Sequence, residues 1–196
     1  MGKGFMFTSF KYHDRYMHPR KNQIWLDKFD GKQSFLQASG FMIVNGLAGK
    51  GISFKSGNSY LYVSRGQLFL GANNGKADFK RSASFMVRFG LGAGKAGFGI
   101  SFESVGAPGH FITESHYRVI IAKMVNSASW KSDATWKPIV AQISTKTVTQ
   151  TVTQTSHSMS KFMNFLFMLV LYPTLYSRKD RYLYQRMVLN FQVEVD

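Results

Sequence analysis

The sequence repeats itself three times, and this feature constrains the fold more than any other. A Ser-Phe pair recurs along the chain, and later in each unit two aromatic residues stand six positions apart. The first unit is offset from the second by 44 residues at all of these markers, and the second from the third by 48 and then 51. The added residues fall in glycine-rich stretches, as expected for insertions in loops. The markers are Ser9-Phe10, Ser53-Phe54 and Ser101-Phe102, followed by Phe35/Phe41, Phe79/Phe85 and Trp130/Trp136.

Short β-rich segments separated by Gly, Asn and Ser turns fill each unit. The second unit contains four of them, and residues 1–141 show no helical periodicity of useful length. Three units of four strands give about twelve strands, as in a β-trefoil, whereas a propeller requires at least four blades. The sequence therefore predicts an all-β fold, a β-trefoil over residues 1–141 made of three four-stranded repeats at about 5–47, 48–95 and 96–141. The repeated aromatic residues are expected mainly in its core.

The chain is strongly basic and contains no cysteine. The formal net charge is +15, of which +12 falls in residues 1–141. The lack of cysteine excludes disulfides, cysteine nucleophiles and cysteine-ligated zinc, but it leaves the compartment open. Such a charge favours an acidic partner, which would make the domain an interaction scaffold for a sulfated glycan, a filament or nucleic acid. Because the basic residues are scattered, a solvated basic surface is the competing interpretation.

Several motifs of the third unit, in order and in threefold register, resemble a known family. They are Gly99-Ile100-Ser101-Phe102, Pro108-Gly109, Tyr117-Arg118 and Ser132-Asp133-Ala134-Thr135-Trp136. Over roughly residues 5–141 the chain resembles the arabinose-binding domain of α-L-arabinofuranosidase B, the family 42 carbohydrate-binding module. The resemblance implies a β-trefoil that binds arabinose-containing or other glycans. It also implies a module that is not itself an enzyme, since the family's glycoside hydrolase activity lies in a separate domain.

The resemblance also names candidate sugar-binding residues. In the family each unit can hold one arabinofuranose, bound by an Asp of an Asp-Ala-Thr-aromatic motif and by a His. In the third unit Asp133 occupies the Asp position and Glu114 the His position. Carboxylates accept hydrogen bonds from sugar hydroxyls, and an aromatic ring covers the sugar's apolar face. The remaining third-unit candidates are Tyr117 and Thr113. The sites of the first and second units are degenerate, because Ala38 and Ser82 replace the Asp, and Pro19 and Val63 replace the His.

Catalytic and metal-dependent functions find less support in the residues. Glu114 and Asp133 are the only candidates for glycoside hydrolysis, which uses two carboxyl groups about 5–9.5 Å apart. The five histidines show no metal-ligand spacing, so neither a metal nor a cofactor is expected. No signal peptide is visible, which leaves the localisation unknown. The domain is expected to be a monomer.

Residues 142–196 do not continue the repeat. Residues 142–160 are rich in Thr and Gln and are interpreted as a linker or an added edge strand. Residues 161–196 are first apolar and then basic, and they are predicted to be disordered or partly helical. Their apolar run, 162–176, is shorter than the ~20 residues that span a bilayer. A tail anchor, an interfacial or docking helix and a divergent chain end are the alternatives.

Overall fold

The computed structural model describes residues 4–92 and 99–141, which form an all-β domain of twelve strands with three short helices. The order of three strands, one helix and a fourth strand occurs three times. The strands are β1 (Gly4–Ser9), β2 (Arg15–Arg20), β3 (Gln23–Lys28), β4 (Met42–Asn45), β5 (Ile52–Ser56), β6 (Ser59–Ser64), β7 (Gln67–Ala72), β8 (Phe85–Phe89), β9 (Ile100–Ser104), β10 (His110–Ser115), β11 (Arg118–Lys123) and β12 (Trp136–Ala141). The predicted all-β class is confirmed, and the number of strands agrees with the sequence analysis.

All twelve strands belong to one antiparallel sheet that closes on itself. Its backbone pairs include β1 with β12, β4 with β5 and β8 with β9. Three hairpins, β2–β3, β6–β7 and β10–β11, meet one another through their second strands. Since side chains alternate between the two faces of a strand, one face of each hairpin covers the core and the other is available to solvent.

The hairpin tips are joined in a ring of backbone hydrogen bonds. The carbonyl group of each turn accepts a hydrogen bond from the second strand of the next hairpin. The donor and acceptor positions recur at the offsets found in the sequence. The three bonds are Leu70 N to Asn22 O at 2.7 Å, Ile121 N to Gly66 O at 3.0 Å and Leu26 N to Tyr117 O at 2.7 Å.

Three phenylalanine rings, Phe7, Phe54 and Phe102, pack edge to face at the centre of the core. The ring of Phe7 lies 5.4 Å from each of the other two, which are 4.9 Å apart between centroids. All three side chains are buried. Edge-to-face packing of this kind contributes about 0.5–1.5 kcal/mol per pair beyond the burial itself.

The alignment of the first unit's opening strand in the sequence analysis is wrong by three residues. Phe7, and not Phe10, takes the place equivalent to Phe54 and Phe102. The strand pairing establishes the register, because Phe5 pairs with Phe41 just as Ile52 pairs with Phe85 and Ile100 with Trp136. Phe10 is instead half-buried, with the Lys137 ammonium 5.1 Å from its ring centroid. The cause is a longer β1–β2 loop, residues 10–14, where the β5–β6 loop is only 57–58.

Each unit also contains a short helix that the sequence analysis does not predict. These helices are α1 (Gln33–Ser39), α2 (Ala77–Ser82) and α3 (Ala128–Asp133). Segments of six or seven residues are too short to show helical periodicity and depend on tertiary packing for their stability. Helix α3 is capped by Ser127, whose Oγ accepts a hydrogen bond from Trp130 N at 3.2 Å.

Within residues 4–92 and 99–141, no helix combines the length and the apolar character that crossing a bilayer requires. The linker predicted at 142–160 and the tail predicted at 161–196 lie outside the described residues.

Candidate functional site

Glu114 and Asp133, the two carboxylic residues picked out in the third unit, lie together. Glu114 is in β10, and Asp133 is the last residue of α3. Lys11, in the β1–β2 loop, lies over both, with its Nζ 2.8 Å from Asp133 Oδ1 and 3.5 Å from Glu114 Oε1. The first and third units therefore build one polar cluster.

The cluster is buried at its base and open at its top. The side chain of Glu114 is 5% exposed, that of Asp133 16% and that of Lys11 36%. Burial raises the pKa of Glu114 above its ordinary value, and the negative charge of Asp133 raises it further. The hydrogen bond with Asp133 raises the pKa of Lys11, which keeps this ammonium charged. The arrangement therefore disfavours ionisation of Glu114, which lies beneath an Asp133–Lys11 ion pair.

Two tyrosines stand beside this cluster. Tyr117 lies in the β10–β11 turn with a φ of +61° and is 42% exposed. Its ring is 5.4 Å from that of Tyr12, and the Arg15 guanidinium lies 4.0 Å from its centroid. The backbone N–H of Tyr117 donates to Glu114 Oε2 at 3.3 Å, which ties the turn to the carboxyl group. The tyrosine rings provide an apolar wall next to the charged groups.

Thr113, the fourth residue named from the sequence, is not brought to this surface. It precedes Glu114 in β10, so its side chain leaves the opposite face of the strand. The residue is buried and faces Ile120 across the hairpin. Thr113 Oγ1 has no hydrogen-bond partner within the part of the chain that the structure describes.

Three residues of the site, Lys11, Tyr12 and Arg15, were missed by sequence reasoning. Lys11 and Tyr12 belong to the longer β1–β2 loop, and Arg15 opens β2 directly after it. Because the first strand was aligned in the wrong register, the extra residues of this loop were not recognised as an insertion. A different repeated pattern carries the right register, namely Gly-x-x-Phe-x-Ser beginning at Gly4, Gly51 and Gly99.

In the first unit, the region equivalent to the third-unit site is occupied by contacts between residues of that unit. His18 stacks on Phe35 with 4.3 Å between ring centroids and shares a 3.0 Å hydrogen bond with Asp27. Burial works against ionisation of Asp27, but the hydrogen bonds from Arg20 and His18 lower its pKa below the ordinary value. This carboxylate is therefore satisfied by its own unit.

The second unit has no carboxyl group at either position. Ser82, at the Asp position, donates its Oγ–H to Phe79 O at 2.9 Å within α2. Val63, at the His position, is apolar. Across 4–92 and 99–141, no group of three or more His, Asp or Glu side chains is arranged to hold a metal ion. The third unit thus holds the polar pair that the sequence pointed to.

Comparisons with known proteins assign the chain to a family. The family model described as the alpha-L-arabinofuranosidase B domain matches residues 5–137, with a second match over 82–167. An arabinofuranosidase complexed with arabinofuranosyl-α-1,2-xylobiose is similar in structure, with a TM-score of 0.61 and 21% identity over 72% of this chain and 31% of that chain. No curated protein matches the chain significantly.

Two further structures share the fold at lower identity. An endo-β-galactosidase from Clostridium perfringens has a TM-score of 0.56 and 10% identity, covering 71% of this chain and 33% of that one. A protein described as the BEL β-trefoil has a TM-score of 0.50 and 10% identity, covering 71% of this chain and 93% of that one. This chain therefore matches about a third of the length of the arabinofuranosidase and of the endo-β-galactosidase.

The resemblance seen in the third-unit motifs is confirmed, and the chain belongs to the α-L-arabinofuranosidase B domain family.

Proposed function

We propose that residues 1–141 are a β-trefoil carbohydrate-binding module with one retained sugar site, in the third of three four-stranded repeats. The recurring order of three strands, a helix and a strand supports the threefold architecture, as does the ring of hydrogen bonds between hairpin tips. Repeats at about 5–47, 48–95 and 96–141, a linker at 142–160 and a separate tail at 161–196 complete this proposal. The module acts as a monomer.

The observation that carries the proposal is the ion pair of Asp133 with Lys11, whose chain neighbour Tyr12 packs against the exposed Tyr117 ring. Asp133 offers an acceptor for sugar hydroxyls, and Lys11 offers a charged donor beside it. Tyr117 and Tyr12 supply the apolar surface that packs on the C–H face of a sugar ring. Family membership makes an arabinose-containing glycan the expected ligand.

The burial of the cluster determines how a sugar approaches it. Glu114 is almost inaccessible, so its role is to hold Asp133 and the Tyr117 turn in place. Lys11 lies at the surface above both carboxyl groups, and the sugar meets it first. One small site with a few hydrogen bonds corresponds to about −4 kcal/mol, which is millimolar affinity.

The same geometry supports a binding role without hydrolysis. A retaining glycosidase holds its two carboxyl groups about 5–5.5 Å apart with the sugar between them, and an inverting one holds them further apart. Here the Lys11 ammonium contacts both carboxyl groups, at 2.8 Å from Asp133 Oδ1 and 3.5 Å from Glu114 Oε1. It occupies the place beside both groups that a glycosidic bond would need. Catalysis is therefore assigned to no residue of the described domain.

Affinity electrophoresis of the full chain in gels containing branched arabinan or arabinoxylan tests the proposal. Asp133→Ala should abolish most of the retardation, because the loss of charged hydrogen bonds reduces affinity about tenfold or more. Asp78→Ala is the matched control, since Asp78 is an exposed carboxylate that pairs with Arg81 in α2 of the second unit. Equal retardation of Asp133→Ala and Asp78→Ala, or no retardation of the wild type, would refute the assigned site.

A further inference from the structure

The outer face of the β6–β7 hairpin forms a groove that the sugar site does not use. Its volume is about 440 Å³, within the range of small-ligand sites. The cross-strand pairs Tyr62–Phe69 and Ser64–Gln67 lie on this face. The opposite face of the hairpin buries Leu61 and Leu68 in the core. The groove is lined by Tyr62, Ser64, Arg65, Gln67 and Phe69.

The walls of this groove are held in position by neighbouring contacts. The Tyr62 ring packs 5.0 Å from the Phe79 ring of α2. It also lies directly over Gly71, where an added Cβ would be only 2.8 Å from Tyr62 Cε1. The side chain of Gln67 accepts a hydrogen bond from that of Gln23 in the β2–β3 hairpin. Because these walls are fixed before a ligand binds, little ordering entropy is lost on binding.

The groove carries positive charge that no carboxylate of the described domain neutralises. Arg65 is exposed in the hairpin turn and forms no ion pair within residues 4–92 and 99–141. In the first unit Asp27 pairs with Arg20, and the second unit has Gly71 and Ser64 at these two positions. Arg65, the equivalent of Lys21, therefore has no carboxylate at that position beside it. An external anion is the natural partner for a guanidinium in this environment.

We propose that this groove binds an anionic sugar, a pyranose that bears a carboxylate or a sulfate group. Arg65 holds the anionic group through paired N–H donors, and Tyr62 and Phe69 pack against the apolar face of the ring. The hydroxyl of Ser64 and the amide of Gln67 bond to ring hydroxyls. This site is distinct from the Lys11–Asp133 site and does not depend on the function proposed for that site.

The shape of the groove favours a sugar over a nucleic acid. The Tyr62 and Phe69 rings are tilted by 38° to each other with centroids 6.1 Å apart. Such rings form a V-shaped trough, which suits the puckered face of a pyranose. Single-stranded nucleic acids are bound by aromatic platforms for flat bases together with a track of cations along the backbone. The groove itself offers a single cation, Arg65.

Titration calorimetry of the full chain tests the proposal with three size-matched sugars and a single-stranded oligonucleotide. The sugars are a sulfated heparin hexasaccharide, a hexamer of galacturonic acid and a neutral arabinohexaose. Arg65→Asn removes the guanidinium and suits the turn, because Asn tolerates the φ of +49° at this position. Arg81→Asn is the control, since it removes the same charge from an exposed arginine that pairs with Asp78 in α2.

We expect at least one acidic hexamer to bind and Arg65→Asn to weaken it about tenfold or more, with less than a twofold change for Arg81→Asn. Binding of both acidic hexamers or of one only would show whether the carboxylate, the sulfate or either is accepted. Equal losses for the two variants would indicate bulk charge and overturn the site. So would the absence of binding by both acidic hexamers. Tighter binding of a single-stranded oligonucleotide that is lost in Arg65→Asn would assign the groove to nucleic acid instead.

Discussion

Replacing Phe7 with leucine tests the register of the first strand and the packing at the centre of the domain. The Phe7 ring makes two edge-to-face contacts, each with 5.4 Å between centroids, with Phe54 and Phe102. Each such contact contributes about 0.5–1.5 kcal/mol beyond burial, so Phe7→Leu should lower the free energy of unfolding by about 1–3 kcal/mol. Leucine retains most of the apolar volume, which keeps the domain folded.

Phe10→Leu is the matched control, because it makes the same substitution three residues along the chain. Phe10 is half-buried and has the Lys137 ammonium 5.1 Å from its centroid, a contact of about 0.5–1 kcal/mol. Urea unfolding followed by tryptophan fluorescence gives both losses, provided that the slope m is unchanged. A loss for Phe10→Leu equal to or greater than that for Phe7→Leu would refute the register and return Phe10 to the core.

Three further predictions concern other parts of the domain. Gly51→Ala should lower the free energy of unfolding by more than about 2 kcal/mol, because the added Cβ would lie 2.3 Å from Phe85 O. Gly57 also has a positive φ but open space around it, so Gly57→Ala should cost about 1 kcal/mol. Equal losses for the two variants in urea unfolding would contradict this prediction. Since the pKa of Glu114 is raised in the folded state, its contribution to stability is complete below its ordinary pKa and is lost as the pH rises through the raised value. The free energy of unfolding, measured at about pH 4 and pH 8, should therefore fall more for the wild type than for Glu114→Gln as the pH rises. The same difference between the two proteins at both pH values would contradict this. Trp136→Phe should cost about 1–3 kcal/mol in the same assay, because it removes the Nε1–H bond to Ile112 O at 3.1 Å in a fully buried site; a loss below about 0.5 kcal/mol would contradict this.

The sequence determined the class of fold and the strands of the second unit. Local alternation and turn residues are sufficient for this, because a strand exposes one face and ends at Gly, Asn or Ser. Two of the four β-rich segments of the second unit illustrate this, since Tyr60–Val63 falls within β6 and Gln67–Leu70 within β7. The motif Asp-Ala-Thr-Trp at Asp133 was enough to select the third unit, since family resemblance is carried by residues adjacent in the chain.

Only the tertiary structure decided how the first strand pairs and what surrounds the carboxyl groups. The register of β1 depends on its pairing with β12, a partner at the other end of the domain, and repeated Ser-Phe pairs alone led to the wrong alignment. Lys11 reaches Asp133 through a loop whose length differs between units, so no repeat position pointed to it. The short helices have only six or seven residues, which is too few for a stable isolated helix and too few to show a periodic pattern, so they depend on tertiary packing. Contacts between residues distant in the chain are fixed by the closure of the sheet, and local sequence patterns do not contain that information.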